Sequence, residues 1–253
     1  MISEPIGQCS RADRAVSEVL GFAMVFFIII AAVGVLYLTG FGAMADYQEA
    51  ERSANVDFAM DALAENFNDV LKSDGVFQRS GEINPRGGLI ETSTGGPIDE
   101  IRIDDEDVLD DHLNRSGLDG IGAFTYTDDD ATSVYQGGGV FKRGDGGEVV
   151  IREPPVRCVD DAAVVSIATI YGTDGTISAD GSRQISVADE MTTVTTGSTI
   201  EIELHDDDTD FTDAWATALE SRGFTGDGEV YRCDEPGETE VVLRLTTLQI
   251  SYD

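Results

Sequence analysis

The chain has 253 residues and a formal net charge of -33, set by 49 Asp and Glu against 16 Lys and Arg. Phosphate backbones are held by concentrated Lys and Arg, and the only lysines are Lys72 and Lys142, so the charge argues against nucleic acid as a partner. Intrinsic disorder is excluded as well, because 41% of the residues are hydrophobic and several segments alternate with the period of a strand.

Between Glu18 and Asp46 stand 27 residues without a charged side chain, enough to cross a bilayer as a helix at about 1.5 Å per residue. A secretory signal peptide has a shorter apolar region, about 7–15 residues, followed by a small-residue cleavage site. Here the run is longer and the sequence beyond it continues as a helix. Its length also favours a membrane segment over the core helix of a soluble protein. Arg11 and Arg14 precede the run, whereas Asp46, Glu49 and Glu51 follow it, so the positive-inside rule places the amino terminus in the cytoplasm and everything after about Met44 outside.

Past the run, Tyr47, Ala50, Ala54, Phe58, Leu63, Phe67 and Val70 or Leu71 recur at spacings of three to five and draw one apolar stripe. The helix is therefore expected to run from Ser17 to about Lys72, roughly 56 residues and 84 Å, with Gly34, Gly40 and Gly42 as points of bending and Asp74-Gly75 as the stop. The expected organisation is a cytoplasmic leader, 1–15; a membrane or filament-core helix, 16–44; an amphipathic extension, 45–74; and an outer domain, 75–253.

The stretch "RAVSEVLGF", followed by an uncharged helix and an amphipathic extension, resembles the class III signal peptide of archaeal type IV pilins and archaellins. The resemblance implies that a prepilin-type leader peptidase reads Arg14, Ala15, Val16 and Ser17 and cuts between Ala15 and Val16 at the cytoplasmic face. It also implies that the freed helix leaves membrane lipid to pack against copies of itself or other pilin-like subunits. Glu18 stands where haloarchaeal relatives commonly carry proline, and Leu20 where many bacterial pilins carry glutamate. Glu18 is read as a favourable charge at the positive end of a helix. The abundance of acid with almost no lysine is likewise similar to the proteins of salt-accumulating halophilic archaea, whose surfaces must stay hydrated where salt screens charge.

Beyond residue 75 the chain reads as short strands between Gly and Asp turns. They are "GPIDEIRID", "IGAFTYT", "SVYQGGGVFKRG", "EVVIREP", "AAVVSIATIYG", "RQISVADEMTTVTTG", "STIEIELHD", "EVYRCD" and "TEVVLRLTTLQISYD". Period-two alternation with Asp-Gly and Gly-Gly turns predicts antiparallel sheet, hence an α+β protein with a sandwich-like outer domain. One short helix is expected in "DFTDAWATALESRGF", capped by Asp210 or Thr212 and stopped by Gly223. The arrangement from residue 133 to the end is similar to that of haloarchaeal pilin-like membrane proteins, which implies a shared architecture with no known activity attached.

Candidate chemistry is sparse. With the leader removed, Cys9 is lost, leaving Cys158 and Cys233, which can pair outside the cell and close a 75-residue loop worth about 4 kcal/mol; two separate buried thiols are the alternative. His112 and His205 do not form a metal signature and are expected to be structural. There is no phosphate-binding loop followed by Lys-Ser/Thr and no Gly-x-Ser-x-Gly elbow. The acidic runs 104–111, 128–130 and 206–210 read as hydrated surface. Counted from Asp206, a calcium loop would place Phe211 and Thr217 where glycine and an acid are needed. No catalytic residue, metal or cofactor is expected. Asn114-Arg115-Ser116 is a sequon that can be glycosylated at Asn114.

The expectation is a non-catalytic, single-pass, pilin-like subunit that enters a surface filament or serves as a minor subunit in adhesion, the large outer domain favouring the minor role. The alternative is an exported binding protein or enzyme whose apolar segment is an uncleaved anchor.

Overall fold

The computed structural model describes residues 10–83, 87–128, 131–159, 162–172, 176–178, 181–205, 211–233 and 240–252, with backbone alone at 10–17, 41–43, 45, 46 and 48–50. The elements in chain order are α1 (Ser10–Lys72), β1 (Gln78–Ile83), β2 (Leu89–Ser93), β3 (Ile98–Ile103), β4 (Glu106–Asp107), α2 (Val108–Ser116), β5 (Ala123–Thr127), β6 (Thr132–Gln136), β7 (Gly139–Gly144) and β8 (Gly147–Arg152). There follow β9 (Val156–Val159), β10 (Ala162–Gly172), β11 (Ile177–Ser178), β12 (Arg183–Gly197), β13 (Ile200–Leu204), α3 (Thr212–Ser221), β14 (Thr225–Asp227), β15 (Val230–Arg232) and β16 (Glu240–Tyr252). The chain divides into two units, Met1–Ser53 and Ala54–Asp253, and α1 contributes to both.

In the first unit, Glu18–Gly40 is a 23-residue helical segment long and apolar enough to cross a membrane. None of its most apolar window is buried, and Phe22 is 74% exposed.

The second unit is an α+β domain of three sheets, ordered β1-β12-β16-β10-β9, β11-β2-β5-β6-β7-β8 and β14-β15-β13-β3-β4. Among the described residues every strand pair is antiparallel except β10 with β16, which run parallel from Ala162 opposite Glu240 to Gly172 opposite Ile250. Side chains alternate across a strand, and the first two sheets use this to serve two cores. Leu248, Ile250, Ile185, Val187, Phe124, Tyr135 and Val140 meet the helix α1 on one side. Leu243, Leu245, Val165, Ile167, Val134 and Phe141 face the other side, where the third sheet, α2 and α3 supply Ile101, Ile202, Leu113, Trp215 and Leu219. A bulge between Asp189 and Met191 shifts the register of β12 against β16, opposite the stretch of β16 between Leu245, which faces one core, and Leu248, which faces the other.

The part of α1 in this unit buries Val56, Met60, Leu63, Ala64, Phe67, Val70 and Leu71, three and four residues apart. This corrects the expected stripe, since Ala54 and Phe58 point outward and Phe58 is 74% exposed. The helix is turned by charge as well as by apolar content. Asp57 accepts from Lys142 Nζ at 2.8 Å, Asp61 from Arg152 Nε at 2.5 Å and Asp69 from Arg79 Nε at 3.4 Å, so acids four or eight residues apart meet cations from β7, β8 and β1.

Among the described residues two short helices occur in place of the one expected. Asp107 caps α2, its Oδ1 accepting from Leu109 N and Asp110 N at 3.1 Å each, and Gly117 closes it at φ 72°. For α3, Thr212 is not the cap: its hydroxyl donates to His205 O at 3.0 Å, while Phe211 holds the N-cap at φ 62° with no side-chain cap bond. Glu148 of β8 fills the role, accepting from Ala214 N at 3.0 Å, and Arg143 lies 4.5 Å over the Phe211 ring. Asp210 lies outside the described residues. "SVYQGGGVFKRG" is a hairpin whose Gly137 and Gly138 sit at φ 58° and 99°, and a Cβ on Gly137 would stand 2.6 Å from the Trp215 ring. Strands β1, β2, β4, β9, β11 and β14 were not expected from the sequence.

Candidate functional site

The feature that asks for a partner is the apolar part of α1. Phe22, Phe26, Ile28, Leu36 and Leu38 are exposed all round the helix, the Phe22 and Phe26 rings stacking at 6.3 Å between centroids. Its one hydroxyl between Glu18 and Gly40 outside the Tyr37 ring, on Thr39, donates back to Val35 O at 2.8 Å, which satisfies it without water. Arg14, Ala15, Val16 and Ser17, where leader processing is expected from the sequence, occupy consecutive helical positions ahead of this segment, and Glu18 is exposed at its start. Residues 1–9, Cys9 among them, lie outside the described residues.

In the second unit the sequence candidates are held apart. His112 is fully buried beneath α2, with Nδ1 3.1 Å from Thr193 Oγ1 and Nε2 3.0 Å from Thr247 Oγ1; Thr169 Oγ1 lies 2.9 Å from Thr247 Oγ1. Burial, and then the Arg115 charge, push its pKa down to about 4, so the ring is a neutral crosslink between α2 and the first sheet. His205 instead contacts Asp99 Oδ2 at 2.9 Å on the surface. Tyr135 is buried against α1 and donates to Asn68 Oδ1 at 3.1 Å while Asn68 donates to Gly138 O at 2.8 Å; burial raises the phenol far above its ordinary value. Of these groups His205 has a titratable partner, Asp99, and that pair is exposed. Among the described residues no three His, Cys, Asp or Glu side chains come together in a way that could hold a metal ion. The acidic run 206–210 and residues 129 and 130 lie outside the described residues.

Cys158 of β9 and Cys233, just past β15, form a disulfide with Cα atoms 5.6 Å apart, tying the first sheet to the third. Beside it Cys158 N donates to Arg222 O at 2.8 Å, and Gly223, at φ 92°, leaves the room that a Cβ would take 2.3 Å from Cys158 O. Asn114 is exposed on α2, where its Nδ2 donates to Asp110 Oδ2 at 2.8 Å. Sequence reading missed the cations that fasten α1, although the spacing of Asp57, Asp61, Glu65 and Asp69 along one helical edge was the available signal.

No curated protein and no solved structure gives a significant match to the chain. One family model does match, over residues 14–251, covering the apolar helix and the three-sheet domain together; the chain belongs to the Family of unknown function (DUF7289).

Proposed function

We propose that this chain is a non-catalytic, membrane-anchored, pilin-like subunit of a halophilic archaeon. Its amino terminus lies in the cytoplasm, a prepilin-type leader peptidase removes residues 1–15, and the acidic three-sheet domain stands outside the cell. The apolar helix exchanges lipid for copies of itself or for other pilin-like subunits, in a surface filament or as a minor adhesive component. The observation that carries this reading is the segment Glu18–Gly40, none of whose most apolar window is buried, in a helix whose later residues are built into the core of the outer domain. Such a surface needs lipid or other apolar helices around it. Two further facts support it: the family match begins at Arg14, beside the inferred cut, and it takes in anchor and domain as one. The disulfide suits an oxidising exterior.

The test is a tagged full-length copy expressed in a halophilic host, followed by shearing of the cells and electron microscopy of the released fraction with label against the tag. Label along filaments is the expected result. Label confined to the membrane pellet, with the leader still attached, would replace this reading with that of an anchored binding protein or enzyme.

A further inference from the structure

Of the five asparagines in the chain, Asn114 alone heads an Asn-x-Ser/Thr triplet. The fold sets that triplet on the outer side of α2. Leu109, His112 and Leu113 are buried beneath the helix, whereas Asp110, Asp111, Asn114 and Arg115 are exposed. The helix ends two residues after Asn114, where Gly117 turns the chain at φ 72° and Leu118 N donates to Leu113 O at 3.0 Å. A bulky hydrated group on the Asn114 amide therefore enters solvent without displacing any core side chain.

The side-chain bonds of the folded helix decide when such a group can arrive. The triplet requires a hydroxyl two residues after the amide, so an enzyme that reads it engages both groups at once. On a helix, residues two apart do not face the same way. Both groups are also committed: Asn114 Nδ2 donates to Asp110 Oδ2 at 2.8 Å, and Ser116 Oγ donates to His112 O and Leu113 O at 2.9 and 3.1 Å. Before α2 docks the constraint is absent. Nine residues are too few to hold a helix in water without tertiary packing, and the buried partners of His112, Thr193 and Thr247, follow it in the chain by 81 and 135 positions.

We propose that Asn114 is an N-glycosylation site, modified outside the cell before α2 docks on the sheets. The proposal rests on the membrane-anchored reading given above. The donor is a lipid-linked oligosaccharide phosphate. Asn114 Nδ2 attacks C1 of its first sugar, the bond from C1 to the phosphate oxygen breaks, the lipid phosphate leaves with the electron pair, and the amide gives up one proton to solvent. The product keeps one N–H, enough to restore the bond to Asp110 Oδ2 once the helix forms. Modification is thus compatible with the folded α2, while the folded α2 is a poor acceptor.

The experiment expresses the full-length chain with a carboxy-terminal tag in a halophilic host that glycosylates its own surface protein, and maps the peptide containing residue 114 by mass spectrometry. The parent and Ser116→Thr should carry a glycan at Asn114, and Ser116→Ala should not. A bare Asn114 in the parent, beside a modified host surface protein, overturns the proposal. Antibody labelling of the tag on intact cells reports location separately: a labelled tag with Asn114 bare defeats this site alone, whereas a tag reached only in broken cells also counts against the anchored reading. The order of events is read in host membranes that hold donor and transferase. There a synthetic peptide of residues 106–119 should accept glycan about tenfold faster than the folded, unmodified full-length chain, which must first open α2. Equal rates would overturn the order.

Discussion

The rotation of α1 against the sheets has a measurable consequence at two phenylalanines nine residues apart. Phe67 is fully buried, with its ring 4.9 Å from Tyr135 and 6.0 Å from Phe124, both edge to face. Phe67→Ala removes the ring's burial, leaves a cavity and deletes two aromatic pairs, a combined loss at the upper end of about 3–5 kcal/mol. In a domain of about 200 residues each kcal/mol moves the midpoint by about 2–4 °C, so Phe67→Ala should lower Tm by about 15 °C. Phe58 is 74% exposed, and Phe58→Ala should stay within about 0.5 kcal/mol of the parent. Thermal unfolding of the full chain in detergent at one fixed salt concentration, followed by circular dichroism, compares the two. Equal destabilisation by both substitutions, or a larger effect at Phe58, would refute the packing described for α1.

Three other outcomes follow from the same structure. Lys142→Met leaves Asp57 partly buried without its ammonium and should cost about 2 kcal/mol in urea unfolding, with much of the loss recovered when Asp57→Asn is added. Replacing Cys158 and Cys233 together by alanine should cost about 4 kcal/mol, the chain entropy of a 75-residue loop, and the parent should lose as much on reduction. His112 is neutral in the fold with a pKa of about 4 against 6.5 in a free chain, so the unfolded state binds the extra proton between those values. Its contribution is whole above pH 6.5 and is lost as pH falls toward 4, about 3 kcal/mol in all; relative to His112→Gln, parent stability should drop across that window, and parallel pH curves would disprove the assignment.

The long elements were legible because their signals are local. The charge-free run fixes the first part of α1, period-two alternation marks β10, β12 and β16, and Trp215 within "DAWATALES" marks α3. The parallel pairing of β10 with β16 was not legible, since alternation tells which face a residue takes and nothing of which strand lies beside it or in what direction. Helix α2 was hidden by composition: in a chain with 30 aspartates the cap at Asp107 looks like one more acid of a hydrated run, and only Gly117 marks its end. The α1 stripe was misjudged in its first turns because Ala54 and Phe58 fit an apolar period as well as Val56 and Met60 do. What chooses between them is the set of cations waiting on β7 and β8, contributed from residues 85 and 91 positions away. The residues of the proposed leader cut, Arg14 to Ser17, are contiguous in sequence, so that proposal draws on no fold.

The central claim, that α1 is an anchor released from a leader and built for assembly, is tested most directly by the amino terminus of the mature protein. Intact-mass and terminal-peptide spectrometry of the membrane fraction, with Arg14→Glu as the processing-deficient control, should find a parent chain beginning at Val16 and a control that keeps all its residues. A parent chain carrying residues 1–15 intact, in cells whose leader peptidase processes its other substrates, would contradict the account.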